Sequence, residues 1–140
     1  MRLAAIDIGS NAARLLISDI TTYKDGTLDF TKVNLVRVPL RLGFDVFENG
    51  TISTKKRVEL LETIQAFKHL MNVYQVKGLK VCATSAMRDA TNSAEIVEEV
   101  YQATGIRIRI ITGSEEAEIL YETHLAENMD DKNMYLYIDV

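Results

Sequence analysis

Cysteine occurs once in the chain, at Cys82, so an internal disulfide is excluded and the fold must be held by its core. Proline also occurs once, at Pro39, which leaves long stretches free to run as uninterrupted strand or helix. No apolar run approaches the length that crosses a bilayer, and "LAAIDI" at the start lacks a secretory pattern. A membrane role is therefore not expected, and the cytoplasm is the expected compartment. An excess of basic residues is missing too: the formal net charge is −4 over 140 residues. That argues against nucleic acid as a partner, because phosphate-backbone binders present a basic surface. It leaves open a small anion held by a few local groups. There is no repeat, no low-complexity segment and no long linker, so residues 1–140 are expected to form one domain. With 47% hydrophobic residues, such a domain hides roughly two thirds of the surface its unfolded chain exposes.

What is present alternates between strand and helix signals. Leu3 to Ile8 is apolar and ends at a "GSN" turn, after which "RLLISDIT" resumes as a strand, giving a hairpin. Asp25-Gly26 marks the next turn, and a third strand is expected from Leu28 to Pro39, with the proline at its end or on an edge. Asn49-Gly50 reads as another turn. Ser53 or Thr54 then caps a long helix whose stripe is Leu60, Ile64, Phe67, Met71 and Tyr74. "LKVCAT", residues 79–84, is a buried strand. Asn92 with Glu95 reads as a capping box for a helix that stops at Gly105. Strand 106–111, a helix from about Ser114 to Ala126 and a strand at 134–140 complete the order. This is an α/β pattern with a mixed sheet of five to six strands flanked by helices. The last strand stops flush with Val140, which gives the expectation of a piece cut from a longer protein.

Three stretches carry chemistry. In "AIDIGSN", Asp7 ends a strand where a carboxylate can hold Mg²⁺. Gly9, Ser10 and Asn11 let backbone amides and short donors approach a phosphate, although the same residues are common in ordinary turns. "ATSAMRDATN" leaves a buried strand and delivers Thr84, Ser85 and Arg88. Arginine suits phosphate through its planar fork, yet pairs equally well with a nearby acid. "ITGSEEAEIL" places Glu115, Glu116 and Glu118 at a helix start. Thr112 and Glu115 form a capping box by spacing, and Glu115, Glu118 and Glu122 share one polar stripe. Glu116 falls on the other side, beside Ala117 and Tyr121, which is unusual for an acid and suits a catalytic base.

Taken in order, "AAIDIGSNAARLLI", "RLGFDVFENGTIS", "ATSAMRDATN", "ITGSEEAEILY" and "LYIDV" resemble the exopolyphosphatase and guanosine pentaphosphate phosphohydrolase family. The resemblance implies an actin-like ATPase, or ribonuclease H-like, domain. It would be the first of two such domains, with the active site between them. By resemblance, Glu116 matches the catalytic base and Arg88 a phosphate-binding arginine. Gly9, Ser10 and Asn11 match the first phosphate loop, and Asp7 and Asp139 the aspartates that place Mg²⁺. Arg41 and Gly43 match a motif near the cleft. Ala12 departs from the family, where a serine is common. The implied reaction is release of terminal phosphate from inorganic polyphosphate, or conversion of guanosine pentaphosphate to tetraphosphate. It would be carried out with Mg²⁺ by an intact, dimeric protein. Two alternatives stay open: an actin-like sugar or acetate kinase, against which the paired acids argue, and a polyphosphate or alarmone binder without turnover.

Overall fold

A computed structural model describes the backbone of residues 1–125 and the side chains of residues 1–119. The strand expected at 134–140, with Asp139, lies outside the described residues. The described chain runs β1 (Arg2–Ile8), β2 (Ala13–Thr22), β3 (Leu28–Val38), α1 (Leu42–Asn49), α2 (Thr54–Val73), β4 (Gly78–Ala83), α3 (Ser85–Asp89), α4 (Ser93–Thr104), β5 (Arg109–Ile110) and α5 (Gly113–Leu125). Its five strands form one sheet in the order β3-β2-β1-β4-β5. The first three pair antiparallel as a meander, whereas β4 joins β1, and β5 joins β4, in parallel.

The sheet's polarity follows from alternation. In β1, Ala4, Ile6 and Ile8 are buried while Ala5 between them is exposed, and β2 buries Ala13, Leu15 and Ile17 in the same rhythm. These residues meet Leu60, Ile64 and Phe67 of α2 and Ile96 and Val100 of α4 in one apolar cluster. Burying each of the larger side chains among them contributes about 1.5–3 kcal/mol. The expected stripe of α2 is thus the core stripe, with Tyr74 half-buried at its end, where its hydroxyl accepts from Asn34 Nδ2 at 2.9 Å. Ser53 caps α2 by accepting from the Lys56 amide. Pro39 follows edge strand β3, as expected.

The structure corrects several local expectations. Residues 42–49 form a helix rather than a connection. Leu42 and Val46 are the turn of it that reaches the core, and Gly50 ends it in the left-handed region (φ 70°), donating its N–H to Val46 O. The turn expected at Asn49-Gly50 is therefore the stop of a helix. Asn92 makes no side-chain cap for α4. Its amide instead brackets Ile52, accepting from the Ile52 N–H at 3.0 Å and donating to the Ile52 carbonyl at 2.8 Å. Both backbone groups of the buried Ile52 are satisfied this way, against one for a cap. Glu95 turns to Arg57. The strand expected over 106–111 shrinks to Arg109–Ile110, the two residues in ladder register with β4, although Ile106, Ile108 and Ile111 are all buried.

Candidate active site

Three parallel strand ends converge. β1 ends at Ile8 beside the end of β4 at Ala83, and the Thr84 amide donates to Ile8 O. β5 ends beside Ala83, where Ile111 N–H donates to Ala83 O. The carboxyl edge of parallel strands is where open α/β sheets place ligands. Here each strand hands over one of the three stretches singled out in the sequence: loop 9–12 after β1, Thr84 to Arg88 after β4, and the start of α5 after β5.

The first loop is a tight turn in which the Gly9 amide donates to Ala12 O at 3.0 Å. The hydroxyls of Ser10 and Ser85 share a hydrogen bond across the gap between the two strand ends. From below, the start of α1 clamps the loop: Arg41 N–H donates to Asn11 O at 2.8 Å and Gly43 N–H to Ser10 O at 2.9 Å. Arg41 adopts the left-handed conformation (φ 56°) to make this turn, which costs a non-glycine residue about 1–2 kcal/mol. Arg41 and Gly43 thus act through their backbones, as a buttress, and neither lines the cleft.

Gly43 has no room for a side chain. A Cβ there would stand 3.0 Å from Ser10 Cβ and 3.0 Å from the Phe47 ring. The exposed Phe47 ring is free to swing aside, whereas Ser10 is bonded to Gly43 through the backbone and has to shift the loop. We expect Gly43→Ala to cost about 1–3 kcal/mol by overpacking and to weaken phosphate binding. Thermal unfolding together with phosphate titration checks this; unchanged phosphate affinity would remove the buttress role.

A cleft of about 340 Å³ lies over these strand ends, lined by Asp7, loop 9–12, Arg14, Thr84, Ser85 and Glu116. The structure therefore brings Asp7, Gly9, Ser10, Asn11 and Glu116 to one place. Arg88 stands behind them, outside the cleft lining. Its Nη1 donates to Ile111 O at 2.9 Å and lies 3.5 Å from Glu116 Oε2. Both side chains are one-third exposed. Arg88 thus links α3, the end of β5 and the Glu116 carboxylate.

The start of α5 sends the three acids in different directions. Glu115 Oε2 accepts from the Thr112 N–H at 2.9 Å, and Thr112 Oγ1 accepts from the Glu115 N–H at 3.1 Å, so the capping box forms in both directions. The Thr112 amide first, then its hydroxyl and Arg109, hold the Glu115 carboxyl below the usual carboxylate range. Glu118 is exposed. Of the three acids, Glu116 reaches the cleft. Ala117, expected on the inward side with it, is exposed.

Arg14 was not foreseen as a cleft residue. Its Nη1 lies 3.4 Å from Asp7 Oδ2, and both side chains are about half exposed, so the pair contributes less than about 1 kcal/mol. Its signal was in the hairpin: a turn at "GSN" pairs Ile8 with Ala13 and hence Asp7 with Arg14. Among the described residues, no three His, Cys, Asp or Glu side chains form a metal cage. The cleft does offer hard oxygen donors: the carboxylates of Asp7 and Glu116 and the hydroxyls of Ser10, Thr84 and Ser85. That set fits magnesium, which binds through one or two carboxylates and substrate phosphate oxygens and keeps its remaining waters.

The profile of the Ppx/GppA phosphatase family matches residues 19–140. The chain belongs to this family. Exopolyphosphatase 1 of Mycobacterium tuberculosis is 30% identical over 121 residues, 86% of this chain and 34% of that protein. A guanosine-5'-triphosphate,3'-diphosphate pyrophosphatase of Vibrio cholerae is 27% identical over 119 residues, 85% of this chain and 23% of that protein. The crystal structure of the Aquifex aeolicus Ppx/GppA family member superposes with a TM-score of 0.78 at 32% identity, over 88% of this chain and 39% of that one. This Ppx/GppA chain thus has the actin-like ATPase fold, with its mixed sheet of five described strands flanked by helices. It spans only about a quarter to two fifths of the length of these three proteins.

Proposed function

We propose that this chain forms one wall of the active site of a phosphoanhydride hydrolase, with inorganic polyphosphate as the first substrate and guanosine pentaphosphate as the second. One observation carries the reading. The Glu116 carboxylate shares a cleft with the serine-lined loop at the end of β1, and Arg88 stands behind it. The relatives named for hydrolysing such substrates support the class of reaction. A second domain of the same protein would supply the opposing wall, and the intact protein is expected to pair as a homodimer.

In this mechanism the terminal phosphate sits over Gly9, Ser10 and Asn11, where amide and hydroxyl donors meet its oxygens. Glu116 accepts a proton from water as the water oxygen bonds to the terminal phosphorus. The bridging P–O bond breaks, and its electron pair leaves with the shortened chain. Arg88 holds Glu116 in place through their ion pair, and the rest of its guanidinium fork offers donors to phosphate. Magnesium, when bound, supplies positive charge for the phosphate oxygens. Asp7 would hold it, joined by Asp139, which lies outside the described residues.

The test is orthophosphate release by the intact protein, with magnesium, from polyphosphate and from guanosine pentaphosphate. Turnover of either is the expected result, and release from neither overturns the reading.

A further inference from the structure

The face of the sheet turned away from the core carries an unusual row. Register sets Arg37 of β3 opposite Arg14 of β2, Arg14 opposite Asp7 of β1, Asp7 opposite Cys82 of β4, and Cys82 opposite Arg109 of β5. The row starts at the cleft, since Asp7 and Arg14 line it. On one side it is closed: Arg109 is paired with Glu115. On the other side it is open. Arg37 is exposed and, among the described residues, makes no ion pair.

Two arginines directly opposite each other on neighbouring strands repel and cost stability. Asp7 offsets only one of them, at 3.4 Å. Such a pair becomes favourable when an anion lies between or over the two side chains. Adjacent strands stand about 4.8 Å apart, so Arg37 sets the next cationic position one strand beyond the cleft. β3 is the edge strand, so an anion following this row passes from the cleft over Arg14 and Arg37 into solvent. Nothing among the described residues caps its length.

We infer that Arg14 and Arg37 form an exit track for a linear polyphosphate chain, whose terminal phosphate sits in the cleft while its following phosphates lie across β2 and β3. The inference rests on the phosphohydrolase reading of the cleft and chooses the long linear polyanion over the nucleotide. A chain with a negative charge on every unit matches cations repeated along a row. The overall charge of −4 makes this track a local exception rather than part of a general basic surface.

The decisive variant is Arg37→Glu, read as binding by the intact protein without magnesium, so that turnover does not enter. Long-chain polyphosphate, tripolyphosphate and single-stranded DNA of matched charge are the probes. Arg37→Glu should weaken long-chain binding about tenfold and flatten its salt dependence. Tripolyphosphate, too short to leave the cleft, should bind as before, and Arg37→Lys should retain most long-chain affinity. Thermal stability should hold or rise, because Glu opposite Arg14 replaces repulsion with attraction. The track is overturned if wild-type protein binds no long chain, if long-chain affinity is unchanged, or if tripolyphosphate loses as much. It is equally overturned if DNA binds as tightly and loses as much, which would mean a general polyanion surface. Failure of phosphate release alongside Arg37-dependent binding would sink the hydrolase reading alone.

Discussion

Glu116→Gln in the intact protein should lower the rate of phosphate release by about a hundredfold or more, the scale of a lost general base. The substitution keeps the size of the side chain and its reach into the cleft, and removes only the capacity to take a proton. Substrate binding should therefore survive, so the loss should fall on kcat and leave KM near its original value. Glu115→Ala is the control. Glu115 is occupied with the Thr112 amide and hydroxyl and with Arg109, so its removal opens the capping box and should lower the melting temperature while leaving turnover near normal. The two neighbouring acids should thus separate cleanly, one in turnover and one in melting temperature. Near-normal turnover by Glu116→Gln would reject its role as base.

Arg88→Ala should be comparably severe, about a hundredfold to a thousandfold in kcat/KM, the range for removing one charge-stabilising donor from an active site. Its geometry predicts which part suffers. Nη1 is committed to Ile111 O and stands 3.5 Å from Glu116, so removal frees the base from its position as well as deleting a phosphate donor. A pure binding role would raise KM alone, whereas the combined role lowers kcat too. Arg88→Lys should rescue little, because an ammonium is a point charge and cannot serve the carbonyl, the carboxylate and a phosphate from one planar fork. Full activity in Arg88→Lys would leave only a charge requirement and remove the positioning role.

The helix starts show how far sequence reading reaches. The Thr112–Glu115 box and the Ser53 cap were readable because both partners lie three residues apart, inside one turn. The Asn92–Glu95 box had the same spacing and did not form. Ile52, forty residues away, offered Asn92 two backbone partners, and no local pattern announces such a competitor. Helix α1 was missed for a different reason. Its core contact is made by Leu42, Gly43 and Val46, while Phe44 and Phe47 point outward at 68% and 72% exposure. The apolar residues therefore do not trace one stripe, and periodicity fails as a signal.

By itself the sequence determined the five described strands and the helices α2, α4 and α5 in their order, the core stripe of α2, the turn after β1 and the separation of Glu116 from its acidic neighbours. Each depends on side-chain spacing within a few residues. Only the tertiary structure decided which of these stretches meet. Placing β1 between β2 and β4 brings Ser10 to Ser85 across 75 residues. Adding β5 beside β4 brings Glu116 to Arg88 and to the cleft, and pairing β2 with β3 sets Arg37 against Arg14. Strand order and register arise from burying one face of the whole sheet against α2 and α4, a condition that no single segment can express.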